Sequence, residues 1–200
     1  MNRMKIFYIL FAVLPLFVFV APASAVDLDA TTCSGSGYSW NAGTSTCTVS
    51  GAVIISSMLN IPAATTLINT GAGGINIIAG VTINNYGTIN NYAGGVITIG
   101  GTLNNYGTLN NYIGGDIIIR DGGTVNNYAG GTISNGGTFE GALFGFFNNC
   151  GTFTGNPFSG NPPGSTGCTS SIPEFLSIVP PVASAIGIIF LIGRRKALKH

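Results

Sequence analysis

The chain has 200 residues, 31 of them glycine, and only 6% are charged. Apolar runs lie near both ends, while the middle is rich in Gly, Asn, Thr and Ile. Between the runs there is one basic residue, Arg120, against six acidic ones, a net charge of −5, which excludes a phosphate-backbone ligand and hence nucleic-acid binding.

Residues 1–25 have the three parts of a secretory signal peptide. Arg3 and Lys5 form a basic head, and residues 6–20 form an apolar helical stretch. Ala23 and Ala25 put small residues at the −3 and −1 positions, so cleavage is predicted after Ala25. A membrane span needs about 20 residues. The apolar stretch is shorter and carries Pro15, so an uncleaved anchor is the weaker reading.

Residues 26–60 read as an N-terminal cap. Cys33 and Cys47 flank a Gly/Ser/Thr loop that holds Trp40. Cys150 and Cys168 lie after the repeats. Export permits disulfides, and four cysteines allow three pairings. Pairing 33 with 47 and 150 with 168 closes two local loops and is favoured. There is no CxxC spacing, and the single histidine is His200, so no zinc site and no cofactor are expected.

Residues 61–140 are a repeat region. The hexamer Gly-Thr-φ-Asn-Asn-Tyr, with φ aliphatic, occupies 87–92, 101–106, 107–112 and 123–128. A copy with Val81 for Gly fills 81–86, and degenerate copies start at Gly137 and Gly151. A second unit joins a Gly-Gly pair to a β-branched run, at Gly73, Gly94, Gly114 and Gly130. Strand side chains alternate with period two. The aliphatic of each hexamer then faces inward, and Thr and the first Asn face outward. Inward Asn amides are expected to form ladders along the stack.

Short strands with Gly or Asn turns at regular spacing fit coils of about 20 residues. The fold class is therefore all-β, a short parallel β-helix (β-solenoid) with three sides per coil. It is flanked by an N-terminal signal helix and a C-terminal hydrophobic helix. A β-sandwich or hairpin array is the alternative. One coil buries too few aliphatics to stand alone, so the coils must stack. The last Gly-Gly spacing, 16 residues, predicts a coil that narrows or becomes irregular there.

Tyr86, Tyr92, Tyr106, Tyr112 and Tyr128 all end hexamers and are expected to stack into one or two ridges. The same strip is a candidate glycan-contacting surface. Residues 141–172 read as a C-terminal cap and spacer. Phe139, Phe144, Phe146, Phe147, Phe153 and Phe158 are expected to plug the last coil.

Catalytic chemistry is thin. No histidine base serves a hydrolase triad, and no Gly-rich phosphate loop carries its Lys. Asp116, Arg120 and Asp121 lie close in sequence and suit a solvated ion pair. The chain is read as non-catalytic. The alternative is a surface-anchored carbohydrate-active β-helix enzyme using Asp116, Asp121 or Glu140.

Residues 173–200 are tripartite. Pro173-Glu174-Phe175 precedes apolar residues 176–193, and Arg194, Arg195 and Lys196 close the segment. As a helix, the 18 apolar residues would reach about 27 Å, just short of a bilayer core. Pro180-Pro181 would kink it, and the basic cluster would stay cytoplasmic. Motif, apolar run and Arg-rich end together resemble the PEF-CTERM sorting signal of archaeal surface proteins, the counterpart of bacterial PEP-CTERM. The resemblance covers about 28 residues. It implies processing by an archaeosortase-like enzyme after signal peptidase, with cleavage near Pro173-Glu174-Phe175 and transfer to a membrane lipid. The alternative is a retained single span. Either way the bulk of the chain lies at the cell surface, where envelope glycans or surface proteins are candidate partners.

Overall fold

A computed structural model describes residues 24–71 and 73–164. The expected signal and C-terminal helices lie outside the described residues, as do Ala23, Cys168, Pro173, Glu174, Phe175, Arg194, Arg195 and Lys196.

The described chain is all strand and turn. After β1 (Val26–Asp27) and β2 (Tyr38–Asn41), the strands follow in triplets, one triplet per coil. The first coil holds β3 (Thr46–Val49), β4 (Ala52–Ile55) and β5 (Leu59–Ile61). The second holds β6 (Thr66–Asn69), β7 (Gly74–Ile77) and β8 (Thr82–Asn85). The third holds β9 (Thr88–Asn91), β10 (Val96–Ile99) and β11 (Thr102–Asn105). The fourth holds β12 (Thr108–Asn111), β13 (Asp116–Ile119) and β14 (Thr124–Asn127). The fifth holds β15 (Thr132–Asn135), β16 (Thr138–Gly141) and β17 (Phe146–Asn149), and β18 (Thr152–Gly155) begins another turn.

Each strand pairs in parallel with its counterpart one coil on. The result is three faces: six-stranded (β1-β5-β8-β11-β14-β17), five-stranded (β16-β13-β10-β7-β4) and seven-stranded (β18-β15-β12-β9-β6-β3-β2). This is the expected parallel β-solenoid. The coils are in register: Thr46, Thr66, Thr88, Thr108, Thr132 and Thr152 form one outward column. The parallel pairing starts before residue 61 and runs past residue 140.

Inward positions are apolar and buried. Ile75, Ile97, Ile117 and Phe139 stack from the five-stranded face, and Ile83, Leu103, Val125 and Phe147 from the six-stranded face. The seven-stranded face contributes Leu67, Ile89, Leu109 and Ile133. Each such side chain contributes about 1.5–3 kcal/mol when fully buried.

At the spacing of 16 the coil becomes irregular and does not narrow. Thr132–Asn135 pairs with Thr108–Asn111, so the unit begun by Gly130-Gly131 occupies the hexamer's face. Thr138–Gly141, read as a degenerate hexamer, pairs with Asp116–Ile119. The two units have exchanged sides. The cause is corner chemistry: Gly94-Gly95, Gly114-Gly115, Gly122-Gly123 and Gly130-Gly131 each end a four-residue corner, whichever face follows. Such corners place glycine at a positive φ, for example Gly94 at 77°, and close with a hydrogen bond from Gly95 N to Tyr92 O (2.9 Å). The fourth coil has three of these corners, so it is the longest.

Both ends are covered. At the start, β1 pairs with β5, and β2 runs antiparallel to β3. The Cys33–Cys47 disulfide, one of the expected pairs, pins this cap to the first coil. At the far end, Phe158 packs on Phe139 and Phe147, and residues 159 and 164 bridge to Glu140 and Asn148. Covering strand edges prevents end-to-end pairing. Cys150 is also disulfide-bonded; Cys168, its expected partner, lies outside the described residues. The Cys33–Cys47 bond closes a loop of 14 residues. Replacing both cysteines with serine is expected to destabilise the domain by about 3 kcal/mol in urea unfolding, with the solenoid retained.

Candidate functional site

The hexamer's two asparagines have different tasks. The second is buried at the end of each strand, where the corner interrupts the backbone ladder. On the six-stranded face Asn85 Nδ2 donates to Asn105 Oδ1 (2.7 Å), Asn105 to Asn127 (2.8 Å) and Asn127 to Asn149 (2.7 Å). On the seven-stranded face the series runs Asn69, Asn91, Asn111, Asn135, each step 2.8 Å. The same amides reach corner carbonyls, as Asn91 donates to Gly95 O and Asn111 to Gly115 O (both 3.1 Å), and carbonyls that open the next strands, as Asn85 donates to Thr108 O (2.9 Å) and Asn111 to Thr138 O (2.7 Å). Buried carbonyls turned out of the sheet at a corner thereby gain a donor.

These inner ladders point toward later coils. Their first members, Asn69 and Asn85, have buried Oδ1 atoms with no protein partner, because Val49 and Ile61 occupy the equivalent places in the first coil.

An outer ladder, not anticipated from the sequence, runs the other way. Asn148 donates to Asn126, Asn126 to Asn104, Asn104 to Asn84 and Asn84 to Asn60, at 2.9–3.0 Å. Asn60 ends it on Asp27 Oδ1 (3.1 Å). The signal was present in the sequence: the first Asn of each hexamer recurs at one outward register.

The tyrosines form two ridges at two corners. Tyr86, Tyr106 and Tyr128 stack with centroids 5.0 and 4.5 Å apart, and Tyr92 and Tyr112 stack at 4.6 Å. Interplanar angles are 9° or less. Tyr106 thus has a ring on both faces, and each of the other four has one. Burial raises the Tyr106 pKa, helped by Tyr128 and Tyr86, and burial also raises those of Tyr86 and Tyr112.

A pH effect follows. The neutral phenol is favoured in the folded state. Above the ordinary tyrosine pKa, near 10, the unfolded chain loses protons that the folded chain keeps. Stability is thus complete below that pH and falls as pH rises through the folded values. Melting temperature is expected to drop steadily at alkaline pH, and Tyr106→Phe is expected to reduce the slope.

Of the three carboxylates of the enzymatic reading, two share a face and the third sits at a corner. Asp116 and Glu140 lie on the outward side of the five-stranded face, one coil and two residues apart, as the register pairs Asp116 with Thr138 and Ile118 with Glu140. Such diagonal neighbours are about 7–8 Å apart. Asp121 sits in a corner, where its Oδ1 accepts from the Phe144 amide (3.1 Å). None of the three lines the cavity of about 280 Å³ under the N-terminal cap, which Leu28, Tyr38, Val49, Ile55, Leu67 and Ile75 enclose.

The expected aromatic plug is divided. Phe139, Phe147, Phe153 and Phe158 pack together with centroids 4.9–6.1 Å apart. Phe144 and Phe146 stay outside, 61% and 52% exposed, beside Leu143 at 71%. Comparison with protein families, curated proteins and solved structures returned no match to this chain.

Proposed function

We propose that the chain is an exported, non-catalytic structural or adhesive protein, with residues 26–172 held outside the cell by the C-terminal segment. The observation that carries the reading is the placement of the chain ends. The strand after the signal segment, β1, joins the first coil, and Gly164, the last described residue, bonds to Phe147 O of the fifth coil at 2.8 Å. Five coils at the usual strand spacing make a column about 24 Å tall. Such a column suits standing between an anchor at one end and the surroundings.

Its surface supports the same reading. The seven-stranded face presents Thr, Asn, Ser and one Ile, with no charged residue. Hydroxyls and amides suit envelope glycans or neighbouring surface proteins. Signal peptidase and an archaeosortase-like enzyme are the proposed processing partners. Cleavage after Ala25 leaves Val26 at the new terminus, where its nitrogen donates to Met58 O (3.1 Å).

Truncation at residue 172 tests the reading in the producing cells. The whole chain should sediment with membranes and be open to protease added outside intact cells. The truncated chain should appear folded in the medium. A whole chain found in the cytoplasm, or a truncated chain still on membranes, would overturn the proposal.

A further inference from the structure

The fifth coil departs from the repeat on its outside. Thr82, Thr102 and Thr124 form an outward column on the six-stranded face, and Phe146 takes the next place in it. At the corner before it, the fourth coil has Arg120-Asp121-Gly122, while the fifth has Ala142-Leu143-Phe144. Leu143, Phe144 and Phe146 are all more than half exposed. Exposed apolar side chains gathered at one place mark a contact surface.

This corner is held firmly. Phe144 N donates to Asp121 Oδ1 (3.1 Å), and Phe144 O accepts from Gly122 N (2.9 Å). Leu143 O accepts from Asn161 Nδ2 (2.6 Å), and Gly145 N closes the turn on Ala142 O (2.9 Å). The backbone is satisfied inward while the side chains are presented outward. The bond from Asn161 comes from the end of the described chain.

We infer that Leu143, Phe144 and Phe146 form a lipid-contacting corner that lays the last coil against the surface of the anchoring membrane. The inference rests on the proposed C-terminal anchor. The described chain ends at Gly164, bridged to Asn148 two residues from Phe146. Eight residues separate Gly164 from Pro173. Fully extended they span at most about 29 Å, so the anchor leaves this corner within reach of the bilayer. Leu and Phe side chains suit the boundary between headgroups and acyl chains. The nearby charges, Asp121 and Glu140, are acidic, and Arg120 stands alone, so attraction to anionic lipid is not the driving term.

Single-tryptophan fluorescence tests this on the membrane-anchored protein, purified from membranes and reconstituted into zwitterionic vesicles. Trp40→Phe removes the native indole. Phe144→Trp then reports the corner, and Ile54→Trp, at a position 65% exposed in the first coil, reports a site about 19 Å along the axis. The Phe144→Trp indole should emit at shorter wavelength, lose most of its intensity to brominated lipid and be shielded from acrylamide. The Ile54→Trp indole should be open to acrylamide and unaffected by brominated lipid. If the chain survives an alkaline wash but the Phe144→Trp indole ignores brominated lipid, the lipid contact is wrong and the anchor stands. Shielding from acrylamide without lipid quenching would instead identify a protein contact and overturn the inference. A chain removed by the wash would overturn anchor and inference together.

Discussion

Asn105→Ala is expected to destabilise the domain by about 3–4 kcal/mol, far more than the loss of one ordinary hydrogen bond. Asn105 is fully buried in the middle of an inner ladder. It accepts from Asn85 and donates to Asn127 Oδ1, Thr132 O (3.0 Å) and Gly107 O (3.3 Å). Truncation leaves Asn127 Oδ1 and Asn85 Nδ2 short of partners, where each unsatisfied buried group costs about 1–3 kcal/mol. Asn104→Ala, next along the strand, interrupts the outer ladder, but its neighbours can turn to water, so about 0.5–1 kcal/mol is expected. Asn105→Leu separates polar satisfaction from packing. It restores apolar volume but leaves the same orphans, so it should be about as damaging as alanine. Urea unfolding of the three variants, compared at constant m-value, gives the order. Equal effects at positions 104 and 105, or a stabilising Asn105→Leu, would contradict the role assigned to the ladder.

Gly107→Ala should be the other severe lesion, costing more than about 3 kcal/mol or preventing folding. A Cβ at this position would lie 2.2 Å from Gly87 O and 2.8 Å from Tyr86 C. Relief needs the coils to part at a corner. That would stretch Gly107 N to Asn85 O and Thr108 N to Gly87 O, both 2.9 Å. Gly130→Ala is the matched control. Nothing lies within 4 Å of its added Cβ, and only its positive φ of 91° is unfavourable. About 1–2 kcal/mol is expected there. One glycine is fixed by the neighbouring coil and the other by its own turn. Thermal unfolding should rank them without overlap.

The fold was largely legible because the hexamer is both a strand and a corner. Its period of two assigned Leu103 and Leu109 inward and Thr102 outward, as the structure has them. Inner amide ladders followed from the same alignment. The frame of the fifth coil did not. Gly114-Gly115 and Gly130-Gly131 look alike, but they lead into different faces, because corner length varies from coil to coil. Register across coils, a long-range property, decides which face a unit joins. The divided role of the phenylalanines was hidden for a related reason. Phe146 and Phe147 are adjacent, and only the register of β17 against β14 puts the first outside and the second in the core. The cavity under the cap had no sequence signal, since its lining comes from residues as distant as Leu28 and Ile75.

The solenoid explains why a chain with so little charge holds a regular shape. Stacked aliphatics supply the burial, buried amides satisfy the corners, and the ends are closed by a disulfide-pinned cap and an aromatic cluster. Its proposed place at the cell surface depends on the two terminal segments. Intact-mass analysis of the protein recovered from washed membranes addresses both at once. The expected product begins at Val26, ends near Pro173 and carries the added mass of a lipid. A chain whose mass still includes residues 194–200 would contradict it.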